Sequence, residues 1–100
     1  MTYRLSPRAR SDLRDILRYS VEHWGEIRAR SYVQAITERL TAVDAGRVPA
    51  RSAHLIRPGY LKTTVGRHAI YFRRLPNGDL VVVRILHQSM DVATQLRGDA

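Results

Sequence analysis

The chain contains no cysteine, which removes disulfides, thiolate metal sites and a cysteine nucleophile together. Lys62 is its one lysine among 17 basic residues, so chemistry that needs several ammonium groups has little to draw on. No apolar run approaches the roughly 20 residues that cross a bilayer. The start, Met1-Thr2-Tyr3-Arg4-Leu5-Ser6-Pro7, lacks the apolar stretch of a secretory signal, and a cytoplasmic location is expected. Acids are scarce as well: none occurs between Asp44 and Asp79, where Arg47, Arg51, Arg57, Lys62, Arg67, Arg73 and Arg74 all fall. No glycine-rich phosphate loop follows a strand, and no pair of histidines or carboxylates has metal-ligand spacing. No metal or cofactor is therefore expected.

What remains is enough for one domain spanning residues 1–100, with one modest core. A net charge of +8 makes an acidic protein or a nucleic acid the natural partner. Nucleotide composition of the source genome accounts for arginine being used in place of lysine. It accounts poorly for the long acid-free stretch.

Apolar periodicity orders the elements. Tyr3 and Leu5, two apart, read as one face of a short strand. Ser6-Pro7 then has the pattern of a helix N-cap with proline in the first helical position. Ala9, Leu13, Ile16, Leu17, Val21 and Trp24 recur at helical spacing, and Gly25 provides a stop. A second stripe, Ala29, Tyr32, Val33, Ile36, Leu40 and Val43, closes at Gly46. Two such helices with almost no linker form an antiparallel hairpin. Residues 47–59 read as loop. The period then changes to two over Tyr60–Val65 and His68–Leu75, separated by Gly66. Asn77-Gly78 marks a hairpin turn, and Leu80–Leu86 is apolar on both faces, as a central strand would be. Residues 89–97 read as a short final helix. The expected fold is α+β, in the order β-αα-βββ, with the helical hairpin packed on a mostly antiparallel sheet.

The segments "YRLSPRARSDLRDILRYSVEHWG", "GRHAIYFR" and "VVVRILHQSMD" occur in order on that framework, and their sequence resembles the ParE branch of the RelE/ParE toxin superfamily across residues 2–97. The resemblance implies the toxin of a type II toxin–antitoxin module. Such a toxin poisons DNA gyrase by binding it. It is neutralised in a hetero-oligomer by an acidic, ParD-like antitoxin, and meets DNA only through gyrase or the antitoxin. The superfamily's RelE-like branch instead cleaves messenger RNA on the ribosome, and a shared fold cannot choose between the two.

Metal-free RNA cleavage requires a base for the 2′-hydroxyl, an acid for the leaving oxygen and a clamp for the phosphorane charge. RelE-like nucleases supply these with lysines, arginine and a late tyrosine. Here the last tyrosine is Tyr71. His87 is the candidate base, with His68, Arg67 and Arg84 as conceivable helpers, although strand alternation separates His87 from Arg84. The plainer reading has His87 end a strand and bond locally, Asp91 cap the tail helix, Met90 plug the core and Trp24 close the hairpin. Under it His68 is a packed strand residue, and Tyr60 and Tyr71 are core rather than base-stacking platforms. A ribonuclease and a small nucleic-acid binder stay as alternatives to the gyrase-binding toxin. On the toxin reading, Arg84, His87, Gln88, Ser89, Met90 and Asp91 form part of the gyrase-facing surface, with Arg84, Gln88 and Ser89 reaching solvent and Ile85 buried. Arg67, Arg73 and Arg74 form ion pairs with the antitoxin.

Overall fold

A computed structural model describes residues 3–90 and 95–96. Their order is β1 (Tyr3–Leu5), α1 (Pro7–Trp24), α2 (Glu26–Asp44), β2 (Arg51–Ser52), β3 (Leu61–Val65), β4 (His68–Arg74) and β5 (Leu80–His87). The expected α+β order is present with one addition. Arg51 and Ser52, inside the segment read as loop, pair antiparallel with Lys62 and Leu61. Two residues are too few to show an alternation. The sheet runs β1-β5-β4-β3-β2, antiparallel except where β1 lies parallel to β5.

Ser6 joins the two layers. Its hydroxyl accepts from the Ala9 N–H at 3.0 Å, capping α1 ahead of Pro7, and donates to the Val83 carbonyl at 2.8 Å. Its own N–H donates to the Val82 carbonyl at 2.9 Å, extending the β1–β5 ladder by one bond. Gly25 alone separates the helices, with φ 87°, a conformation costly for any residue with a Cβ. Its N–H bonds the Val21 carbonyl and its carbonyl receives the Ala29 N–H, so one residue ends α1 and begins α2.

Two apolar layers flank the sheet. Toward the helices, Ala9, Ile16, Ile36, Leu40 and Val43 pack on Ile70, Phe72, Leu80, Val82 and Ile85. On the other face, Ala69, Tyr71, Val83 and Leu86 are covered by Ala53, Tyr60 and Leu96. Tyr60 and Tyr71 are thus core, as the plainer reading held, at 6% and 2% exposure. Ile85 and Leu86 are both buried, one in each layer, because each face of β5 has its own cover. Burying a side chain of this size contributes about 1.5–3 kcal/mol. The register slips once. Tyr71 pairs with Arg84 and Phe72 with Val82, which leaves Val83 as the extra residue of a β-bulge. Of the expected tail helix, Ser89 and Met90 lie in a turn and bend, and Gln95 and Leu96 are helical. Asp91 and its expected capping role lie outside the described residues.

Candidate functional site

β1 ends at Leu5, so the second half of β5 would present an unpaired edge. Asp12, on the first turns of α1, fills the place of the missing strand. Its carboxylate accepts the Ile85 N–H at 2.9 Å and grips the Arg84 guanidinium through Nε at 2.8 Å and Nη2 at 3.0 Å. The fork-on-fork arrangement is the strongest geometry an ion pair adopts. Arg84 also donates to the Gln95 carbonyl at 3.3 Å. The expectation that Arg84 reaches solvent is therefore corrected: it is 6% exposed, spent on holding β5 to α1 and to the tail.

Beyond that point α1, α2, the β3–β4 turn and the end of β5 enclose a groove of about 800 Å³. His68 and His87 form its polar floor. They are register partners across β4 and β5, with ring centres 5.3 Å apart and planes nearly perpendicular at 88°. Each ring is held by its Nδ1. Tyr32 Oη donates to the Val65 carbonyl at 3.0 Å and lies 2.6 Å from His68 Nδ1. The two contacts compete for the one hydroxyl proton, and the tautomer of His68 decides whether that oxygen donates to Nδ1 or accepts from it. His87 Nδ1 accepts the Ser89 N–H at 3.1 Å, with Ser89 Oγ at 2.8 Å. The local bonding expected of His87 is present. Burial first, and then the neighbouring His87, push the His68 imidazole below its ordinary range, against an opposing pull from Asp12.

Gly66 is required at this place. It sits at φ 54°, and a Cβ there would come 2.7 Å from the Tyr32 hydroxyl. The absence of a side chain lets Tyr32 reach over the turn to His68. The walls are apolar and aromatic: Ile16, Tyr19 and Trp24 from α1, and Met90 beyond β5. Arg28 and Arg67 bring cations to the lining. Ser20 also lines the groove at 2% exposure, and its hydroxyl has no hydrogen-bond partner among the described residues.

Two structural readings are overturned here. Trp24 does not close the hairpin; it is 52% exposed and stands edge-on to Tyr19, 6.1 Å away. Met90 is 45% exposed and lines the groove instead of plugging the core. Of the expected gyrase-facing set, His87, Ser89 and Met90 meet at the groove and Gln88 is exposed beside them. The three arginines expected to serve the antitoxin do not share a patch. Arg67 lines the groove, while Arg73 and Arg74 lie at the opposite end of the seven-residue β4. Arg74 is moreover bonded to the Asp44 carboxylate at 3.3 Å and to the Gly78 carbonyl at 2.9 Å. Sequence reading missed Tyr19, Ser20, Arg28 and Tyr32 as groove residues. Tyr19 carried a signal, an aromatic on α1 outside the apolar stripe.

Comparison with known proteins bears on what this groove belongs to. A family model described as "ParE toxin of type II toxin-antitoxin system, parDE" matches residues 3–92. The chain belongs to the ParE toxin family. It is 35% identical over 94 residues to Toxin ParE1 of Mycobacterium tuberculosis, covering 94% of this chain and 96% of that protein. Toxin ParE1 of Caulobacter vibrioides is 31% identical over the same shares. Toxin ParE of Escherichia coli is 29% identical, with 91% of its length covered. A solved structure titled "Chromosomal ParDE TA system from P. aeruginosa" superposes with a TM-score of 0.71 over 87% of this chain and 95% of that one, at 24% identity. That likeness establishes the ParE fold here: a helical hairpin on a five-stranded mixed sheet. No described helix is long and apolar enough to cross a membrane.

Proposed function

We propose that this ParE-family chain inhibits DNA gyrase by protein–protein binding and is neutralised by an acidic, ParD-like antitoxin. The observation that carries the reading is the match to ParE toxins over residues 3–92. The surface agrees with a binding role. Exposed Tyr19, Trp24 and Met90 surround the groove, and aromatic and methionine side chains are the types enriched at protein interfaces. The gyrase-facing region proposed is the end of β5, His87 to Met90, together with this rim; Arg84 acts behind it by fixing the strand. For the antitoxin, charge is the guide. Register places Arg51, Lys62 and Arg73 on the sheet face that carries Tyr71, away from the helices. Acidic side chains there would steer association more than they would add affinity. Arg67 serves the same partner at the other end of β4.

The ribonuclease reading has one observation in its favour: His68 and His87 meet at the groove floor, near Arg67. One experiment separates the two. Purified gyrase, plasmid and toxin should give linearised plasmid that disappears on adding the antitoxin, while a reporter transcript stays intact with and without ribosomes. Transcript cleavage lost in His87→Ala, with gyrase unaffected, would reverse the choice.

A further inference from the structure

We infer that the groove grips gyrase by taking in an acidic segment of that enzyme, one that carries an apolar side chain close to a carboxylate. The inference rests on the gyrase reading above and adds what the groove selects. Its charge balance points that way. The lining holds Asp12 and Asp15, but both carboxylates are answered within the chain, by Arg84 at 2.8 Å and by Arg18 at 2.7 Å. Arg28 and Arg67, also in the lining, have no ion-pair partner among the described residues. The unspent charge of the groove is therefore positive, and an anion is what it attracts. Arg67 also faces the antitoxin, so only one of the two partners can hold it at a time.

Ser20 points the same way from a different chemistry. A serine inside a helix can return its hydroxyl to the carbonyl four residues back, yet this one, 2% exposed, bonds no described residue. Burying a hydroxyl without a partner costs free energy. A chain entering the groove supplies the missing bond through a backbone carbonyl or amide. Around it, Ile16, Trp24 and Met90 offer an apolar lodging for a side chain, and about 800 Å³ is room for a short stretch of chain. The aromatic rim favours such a segment over nucleic acid. Bases stack on open ring faces. Tyr19 has one face covered by His23 at 3.8 Å and meets Trp24 edge-on, so the two rings form no parallel platform.

The test uses the full chain and purified gyrase. Ser20→Ala should weaken gyrase binding by about two- to tenfold. Its melting midpoint should hold or rise, because alanine suits a helix and leaves no hydroxyl unsatisfied. A serine with a merely structural role would lower the midpoint and leave the affinity of the folded protein alone. Arg28→Glu, at an exposed position, should fold as wild type and weaken binding roughly tenfold or more. Arg47→Glu, the same charge change beyond the end of α2, should leave binding unchanged. Trp24 is the chain's one tryptophan, so fluorotryptophan reports on the groove. Its fluorine signal should shift when gyrase is added and stay still when single-stranded RNA or DNA is added instead. Wild type that does not bind gyrase sinks the toxin reading and this inference with it. Gyrase binding untouched by either Ser20→Ala or Arg28→Glu, or a fluorine signal unmoved by bound gyrase, overturns the groove alone. A signal moved by an oligonucleotide, and no longer moved in Arg28→Glu, overturns the protein occupant in favour of nucleic acid.

Discussion

At the hairpin end of β4 and β5, charged groups are answered from within the chain. Arg74 reaches the Asp44 carboxylate and two backbone carbonyls where α2 ends, at 3.3 Å each. Arg4 bonds Asp79 at 2.7 Å, and Asn77 accepts the Asp79 N–H inside the turn. At the other end, 68 to 87, the groove presents two imidazoles, a buried hydroxyl without a partner among the described residues, and exposed Tyr19, Trp24 and Met90. One end is closed by its own polar contacts and the other holds binding capacity in reserve. Interaction sites are expected where groups are fixed by the fold yet not used up by it, and the groove end meets both conditions.

The largest effect should come where the two ends meet. Asp12→Ala removes the carboxylate that pairs with the Arg84 guanidinium, 8% exposed, and that accepts the Ile85 N–H. Breaking a buried pair from one side costs about 3–5 kcal/mol, a large part of a small domain's stability. Urea denaturation would read it, and a loss below 1 kcal/mol would mean that the edge is held by something else. Next comes the closed end. Arg74→Ala leaves the Asp44 carboxylate, 2% exposed, without its cation. About 1–3 kcal/mol is expected in the same assay, with gyrase inhibition retained in whatever fraction stays folded.

Gly66→Ala should cost about 1–2 kcal/mol for the left-handed backbone, and its Cβ would displace the Tyr32 hydroxyl. Loss of the Tyr32–His68 bond, seen in the His68 ring signals, distinguishes this change from simple loosening. pH tests the same end more gently. The folded-state pKa of His68 is lowered from 6.5, so the unfolded chain binds the proton more readily. The stability contribution is full above about pH 6.5 and is lost as pH falls through the folded value. This fall should be smaller in His68→Gln. Smallest in stability, Met90→Ala and Gln88→Ala should stay within about ±0.5 kcal/mol. Any weakening of gyrase inhibition by either one then reports on contact, not on folding.

The helices and the sheet order were readable because their signals are local. Ser6-Pro7, Gly25 and Asn77-Gly78 mark boundaries by backbone chemistry, and the apolar periods of 3.6 and 2 lie between them. What the sequence hid depends on partners far along the chain. Arg84 looked like a solvent-facing residue because Asp12, which buries it, is 72 positions away. His68 and His87 have no ligand-like spacing, and it is strand register that makes them neighbours. Trp24 and Met90 looked like core by type, yet type does not tell whether another element covers them. The two residues of β2 exist only as partners of Lys62 and Leu61.

Val83 gives β5 a place where its length can vary. Strict alternation from Leu80 would turn Arg84 toward the helix-side core beside Val82. The extra residue instead lets Val82 and Ile85, three apart, both face the helices, and sets Arg84 opposite Tyr71. Removing Val83 would restore an unbroken alternation without sending Ile85, Leu86 or His87 to the wrong side. The carbonyl that the Ser6 hydroxyl bonds would pass to a neighbour. A shortened relative would thus keep its floor of imidazoles while changing how the cap of α1 meets β5, so the two features can be inherited separately.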